Sequence, residues 1–496
     1  MQRRAFMASL TALAASAGTF GGIGAARAQK VASASASASS TIAQRLAAYA
    51  AALNYDDLDA RTIEAVKTHT ADALGCGIAA LGEKPVGIAR QVALNYASGD
   101  GRGATVLGTQ RRTAPDLATF ANGAAIRYYD LNDVYAGKEI GHPSDNIAAC
   151  LAQGEAEGAN GRDLIVAIAL AYEIDCRLMD AASISSRGWD HPIFSLPAAA
   201  LAAGKLMKLD ERQLAEAVNL ALNGHLALNQ TRVQTMSNWK GLADADAARN
   251  AVFSAALARD GLTGPAPIFE GNAGLFKQVS GPFSIDTASF GGKGRPFRIN
   301  DCAVKFYPAQ ALTQTAIAAG IDVAKQVGDL DRIVSMEIRT SHEGYFSAGM
   351  DPQKWAPETS ETADHSLPYV TARAMFDGDI SLASYRPEAL HDPKIRAFTQ
   401  KIKVVEDAEL TRLYPKYYAT IVSATLTDGQ TVSKRVDDIP GFATRPMQRG
   451  DFEVKFRKNT VPVVGKARAD DALGFLWSLD QQRDLSHLFA PLVVHA

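Results

Sequence analysis

Histidine is scarce in this chain, nine residues in 496, so a histidine in a polar segment bounded by Gly or Pro stands out as an acid/base group. Three are so placed. The first lies in Arg127-Tyr-Tyr-Asp-Leu-Asn-Asp-Val-Tyr-Ala-Gly-Lys-Glu-Ile-Gly-His-Pro-Ser-Asp-Asn146, which gathers Asp130, Asp133, Lys138, His142 and Ser144 on one connection between two apolar stretches. That composition places an acid/base pair over a helix start, although the same Pro143-Ser144-Asp145 would also serve simply to cap the next helix. The second is Arg187-Gly-Trp-Asp-His-Pro192, where a carboxylate at Asp190 would raise the His191 imidazole pKa if the two side chains meet. The third is Glu361-Thr-Ala-Asp-His-Ser-Leu-Pro368, with His365 beside two potential helix caps, Asp364 and Ser366.

Cations complete the chemistry. Lys240 sits in Trp-Lys-Gly after Arg232, and Lys305 in Val-Lys-Phe-Tyr-Pro. A partly desolvated ammonium binds a carboxylate far more strongly than an exposed one; snorkelling lysines at a domain edge would give the same pattern. Dinucleotide and phosphate loops, a His-Glu-x-x-His motif and a Gly-x-Ser-x-Gly elbow are all absent from the sequence. The expected chemistry is therefore cofactor-free and metal-free proton transfer on a small anion.

Those residues need a scaffold, and the length requires two cores or one large core with an inserted subdomain. The chain is 47% hydrophobic and 21% charged with net charge −2, an ordinary globular composition with no broad positive field for nucleic acid. From Thr41 to about Thr263 the apolar spacing is helical, with helices expected over 41–53, 59–80, 116–127, 146–156, 161–179, 197–207, 210–223 and 243–259. Asp210-Glu-Arg-Gln is a plausible cap for the seventh. Beyond Gly291 period-two segments at 332–339, 401–406 and 419–426 alternate with helices at 310–325 and 367–377, so residues 296–445 read as an α+β unit. Residues 446–496 return to helical pattern, clearest at 470–479, and are expected to close the helical domain (41–295).

Residues 1–28 have Arg3 and Arg4, a mildly apolar run from Ala8 to Ala26 and an Ala-Arg-Ala exit. This reads as a cleaved twin-arginine export signal to the periplasm, too diluted by Gly and Ser to remain as a membrane anchor. Residues 29–40 are an Ala/Ser linker. Cys76, Cys150, Cys176 and Cys302 show no paired spacing; they read as core residues, with a disulfide or two still possible in an oxidising compartment.

Taken together the motifs resemble the MmgE/PrpD family, from about residue 41 to 480. The resemblance is carried by Tyr-Asp-Leu-Asn-Asp with Gly-His-Pro-Ser-Asp-Asn (129–146), Gly-Trp-Asp-His (188–191), Trp-Lys-Gly with Ala-Ala-Arg-Asn (239–250), Gly-Leu-Thr-Gly-Pro with Phe-Glu-Gly (261–271), Lys-Phe-Tyr-Pro (305–308) and Glu-Thr-Ala-Asp-His-Ser-Leu-Pro-Tyr (361–369). It implies a mostly α fold, a large helical domain with a smaller α+β lid, a homodimer, and a small di- or tricarboxylate substrate in the cleft. It also implies active-site roles for Asp130, His142, His191, Lys240 and Lys305, with Asp133, Ser144, Arg232 and His365 as substrate-binding candidates. The first and last motifs are closer to the 2-methylcitrate dehydratase branch than to the decarboxylase branch, and imply a hydro-lyase. Val134, Ser360 and Leu312 depart from that branch, where Thr, Arg and His are common. Decarboxylation, epimerisation, or carboxylate binding without turnover are the alternatives, and either His142 or His191 is open as the base.

Overall fold

The computed structural model describes residues 40–97, 103–442 and 444–494. The expected leader and all but the last residue of the expected linker lie outside them. Helices of seven or more residues are numbered α1 (Ile42–Ala52), α2 (Ala60–Ala79), α3 (Lys84–Leu94), α4 (Pro115–Arg127), α5 (Ile147–Ala156), α6 (Gly161–Ala181), α7 (Pro192–Leu206), α8 (Glu211–Gly224), α9 (Ala243–Arg259), α10 (Gln314–Val327), α11 (Leu367–Asp377), α12 (Pro393–Thr399), α13 (Arg449–Val464) and α14 (Lys466–Trp477). The fold is mostly α, as the sequence pattern predicts.

Local chemistry sets many of these boundaries. Thr41 and Gln44 form a capping box on α1, and Asp210 with Gln213 does the same on α8, each satisfying first-turn amides that the helix itself leaves unpaired. Helix α7 is buried nearly all round and packs on α6, α8 and α9. Its Ala-rich surface, including Ala198, Ala199, Ala200, Ala202 and Ala203, allows three helices to approach it closely. It begins five residues earlier than the 197–207 expected: Pro192 suits the first turn, and Pro197 is tolerated inside, forgoing one backbone hydrogen bond.

One core runs through α1–α9 and takes in Phe456, Leu473, Leu476, Leu485 and Leu492, so the C-terminal segment packs into the helical lobe. A second core lies around a four-stranded sheet of order β7-β6-β8-β9: β6 (Ile333–Thr340), β7 (Ile402–Glu406), β8 (Thr420–Leu426) and β9 (Thr431–Val436). The β6 and β7 pair is parallel and the others antiparallel. Alternate residues of β8, from Thr420 to Leu426, are buried under α10, which is the period-two pattern read in the sequence. A small sheet of order β4-β3-β5 joins the lobes: β3 (Asp133–Ala136) pairs with β4 (Ile140–Gly141), and on its other edge with β5 (Ala303–Val304). The first two strands, β1 (Ala104–Thr105) and β2 (Arg112–Thr113), form an antiparallel pair just before α4. Among the described residues no helix is long and apolar enough to cross a membrane.

Candidate active site

Three chain segments from the helical lobe and two from beyond residue 300 converge at Asp130. Helix α4 ends at Arg127, and three residues later Asp130 takes a left-handed conformation, φ 51°, which Asp tolerates better than most non-Gly residues. That twist turns the buried carboxylate back toward its own helix end, where the Arg127 guanidinium meets it. Lys305, the residue after β5, donates to the Asp130 backbone carbonyl (2.9 Å) and to Oδ1 (2.5 Å). Lys240, on the single turn Asn238–Gly241, lies 3.5 Å from Asp130 Oδ2 and donates to Asp364 Oδ2 at 2.7 Å. His365 brings Nε2 to 3.6 Å from Asp130 Oδ2 while its Nδ1 is 2.5 Å from Asp364 Oδ1. Both lysines are fully buried.

His142 stands over this cluster. The β3–β4 hairpin carries it to the start of the turn before α5, with Nδ1 2.6 Å from the Asp133 backbone carbonyl. A carbonyl only accepts, so Nδ1 carries the proton and Nε2 presents its lone pair, 3.8 Å from Asp130 Oδ1. Burial, reinforced by the positive charges of Arg127 and Lys305, holds the His142 pKa well below the ordinary histidine range. It is a neutral base at physiological pH.

His191 has the opposite character. It precedes α7, its ring 5.4 Å from that of His142, centroid to centroid. Its Nδ1 is 3.1 Å from Asp190 Oδ1 and its Nε2 is 2.9 Å from Asp244 Oδ1, the latter a charge contact rather than an aligned hydrogen bond. Burial opposes its charge, but Asp244 and Asp190 outweigh burial and push the pKa up to about 10. His191 is an imidazolium with both nitrogens turned to carboxylates. Arg232 locks the same two carboxylates, 3.1 Å to Asp190 and 2.9 Å to Asp244, and its Nη1 donates to the Lys240 carbonyl at 2.8 Å.

The cations tune the rest. Burial raises the Asp130 carboxyl, but Arg127, Lys240 and Lys305 more than offset it and hold it well below the usual carboxylate range. Burial lowers Lys305 to about 8 despite Asp130 beside it. Asp364 is raised to about 6 by burial, and His365 is pushed well below its usual range by burial and Lys240. The nearest groupings of potential metal donors are Asp130/Asp364/His365 and Asp145/His191/Asp244. Lysine and arginine already hold these carboxylates, with Arg127 3.6 Å from Asp145 and 3.5 Å from Asp244, so a divalent ion would enter a strongly cationic surround. The donor chemistry favours an organic anion and proton transfer.

The nine sequence candidates therefore divide. Asp130, His142, Lys240, Lys305 and His365 meet at one point, and His191 and Arg232 form the charged layer behind it. Asp133 and Ser144 point elsewhere. Asp133 accepts from the Ser144 backbone amide (3.1 Å) and the Tyr172 hydroxyl (2.7 Å) and lies 3.0 Å from His69 Nδ1. The Ser144 hydroxyl accepts from Asn132 at 2.9 Å. These two residues brace the backbone that carries His142. Lys138 is exposed and donates to the Ala181 carbonyl at the surface, 3.2 Å away. Ser366, not Asp364, caps α11, accepting from the Tyr369 amide at 3.0 Å. Val134 and Leu312 share one apolar cluster with Tyr418, Ile439 and Phe442, so both departures from the dehydratase branch are packing residues here. Ser360 lines a cleft of about 290 Å³ beside the cluster, with Tyr128, Glu361, Tyr385 and Arg386. Arg127 and Asp244 were not singled out in the sequence. Arg127 stands three residues from Asp130, a spacing that signals an ion pair at a helix end; Asp244 had no comparable mark.

Comparison with known proteins gives the family. The N-terminal domain of the MmgE/PrpD family matches residues 44–288 and its C-terminal domain residues 307–481. The chain belongs to the MmgE/PrpD family. It is 26% identical over 466 residues to the cis-aconitate decarboxylase-like protein oryM of Aspergillus oryzae, covering 88% of this chain and 94% of that protein. It is 28% identical over 405 residues to a 2-methylcitrate dehydratase of Cupriavidus necator (74% and 79%) and 25% identical over 452 residues to the human cis-aconitate decarboxylase (88% and 91%). Relatives of both names therefore lie at comparable distance. The two family domains meet at the site: Lys240, from the first, donates to Asp364, from the second, and His365 of the second lies 3.6 Å from Asp130 of the first.

Proposed function

We propose that the protein is a cofactor-independent lyase acting on a small di- or tricarboxylate, and that it eliminates water as 2-methylcitrate dehydratases do. The observation carrying this reading is the neutral His142 Nε2 3.8 Å from the Asp130 carboxylate, on which the buried ammonium groups of Lys240 and Lys305 converge. Lys240 and Lys305 would take substrate carboxylates in exchange for Asp364 and Asp130. A carboxylate held this way stabilises the charge that builds when the carbon beside it loses a proton. His142 accepts that proton, the electron pair forms the double bond, and the carbon–oxygen bond on the adjacent carbon breaks. Lys305, with a pKa of about 8, donates a proton so that hydroxide leaves as water. His191 holds a fixed positive charge behind the base and does not shuttle protons, because both its nitrogens are committed to Asp190 and Asp244. The functional unit is proposed to be a homodimer, exported under the leader at residues 1–28.

Decarboxylation is the second reading, favoured by the relatives named for it. Proton NMR in deuterated water, with 2-methylcitrate, citrate and cis-aconitate offered separately, decides between them. An alkene product with no carbon dioxide supports the hydro-lyase. Carbon dioxide from cis-aconitate with one deuterium incorporated moves the assignment to the decarboxylase, and binding without turnover removes both.

A further inference from the structure

Five lysines are buried among the described residues: Lys67, Lys240, Lys305, Lys354 and Lys455. Four are paired with a carboxylate, namely Asp480, Asp364, Asp130 and Asp72 in that order. Lys354 is the fifth. It is 1% exposed and its Nζ has no hydrogen-bond partner. Neither neighbouring carboxylate accepts from it: Asp364 is held on both oxygens by Lys240 and His365, and Asp351, three residues before it, acts on it only through space while its Oδ2 accepts the Gln234 amide at 3.3 Å. A dry ammonium with no hydrogen-bond acceptor is costly, and such a group is kept where something anionic arrives to meet it.

Its position indicates what arrives. Lys354 lies on the turn Pro352–Trp355, and its backbone carbonyl accepts from the hydroxyl of Ser366, the cap of α11. That bond ties the turn to the Asp364-His365-Ser366 segment. The side chain is close enough to Asp351, Asp364 and Lys240 to feel all three charges, and its own charge depresses His365. Burial lowers its pKa to about 8, leaving it mainly protonated at neutral pH.

We propose that Lys354 is a third carboxylate-binding ammonium of the site, completing with Lys240 and Lys305 a set of three cations matched to a tricarboxylate. This rests on the carboxylate-lyase reading above and narrows its substrate class. Two inert probes separate the contributions: propane-1,2,3-tricarboxylate, and glutarate, which lacks the third carboxylate. Binding of each to the intact protein and to Lys354→Met and Lys354→Arg is measured by calorimetry at pH 7, with thermal midpoints alongside.

The expected result is a roughly 10- to 100-fold loss of tricarboxylate affinity in Lys354→Met, a glutarate affinity changed less than about twofold, and partial recovery in Lys354→Arg. The methionine keeps the buried stem without the unpaired charge, so its thermal midpoint should equal or exceed that of the parent. Unchanged tricarboxylate binding in Lys354→Met would overturn the assignment and leave the lyase reading standing. Equal loss of both ligands with a lowered midpoint would make Lys354 structural and overturn it too. Failure of the unaltered protein to bind either probe would overturn both readings.

Discussion

At the scale of single residues the site works by keeping two histidines in opposite protonation states 5.4 Å apart. Carboxylates surround His191 and a carbonyl with nearby cations surrounds His142, so one stays charged and the other neutral. Lys305, lowered to about 8, loses its proton as pH rises through that value, so kcat/KM should fall on the alkaline side near pH 8. Lys305→Arg keeps the charge and should move that limb upward by more than one pH unit while lowering kcat, which a profile from pH 6 to 10 checks. His191 has a folded pKa raised to about 10 above an ordinary value of about 6.5. Its contribution to folding is therefore complete below about 6.5 and disappears as pH rises through about 10. Urea unfolding should show His191→Gln less stable than the parent at pH 6, with the gap narrowing by pH 10. The sequence exposed both histidines, but not their roles: Asp190 is adjacent to His191, whereas Asp244 reaches it from 53 residues away. Asp133 and Ser144 looked equally chemical in the sequence. Only the fold shows that Tyr172 and His69 consume the former and Asn132 the latter.

At the scale of elements, strongly periodic segments were legible and those shaped by close packing were not. Helix α11 starts and stops where the pattern predicts because Ser366 caps it and Gly378 ends it in the left-handed conformation. Strand β9 was missed because its alternation is between exposed and half-buried positions, which leaves no apolar stripe to read. Helix α13 lacked a clear signal for a related reason: Pro462 lies inside it and its apolar residues do not fall on one face. The junction of α6 with the C-terminal segment depends on Gly161. A Cβ there would lie 1.6 Å from the Leu479 carbonyl oxygen, and the Gly161 amide donates to the Gln482 carbonyl at 3.0 Å. Gly161→Ala should cost about 3 kcal/mol or more by forcing these segments apart. Chemical denaturation measures it, with the largest loss of hydrogen-exchange protection expected in residues 479–485.

At the scale of the whole molecule, the two cores are latched across the site. Asn238 donates to Glu361 at 2.7 Å, the Met236 amide to the Thr362 hydroxyl at 3.2 Å, and Lys240 to Asp364 at 2.7 Å. Substrate carboxylates competing for Lys240 would loosen one of these contacts, coupling entry to opening. Asn238→Asp places a like charge against Glu361; it should weaken closure and raise KM several-fold more than it lowers kcat, as steady-state kinetics would show. The change of periodicity near Gly291 marks in the sequence where the second hydrophobic core takes over from the first, whereas the latch leaves no such mark, because its members are scattered polar residues without a motif. The central claim is that His142 Nε2 takes the proton beside a lysine-bound carboxylate. The most direct measurement compares His142→Gln with the unaltered protein for turnover of the substrate identified by NMR, with tricarboxylate affinity measured in parallel. A loss of at least roughly 100-fold in turnover with affinity retained within about threefold is the expected result. Turnover within a few-fold of the parent would contradict it and remove His142 from the chemistry.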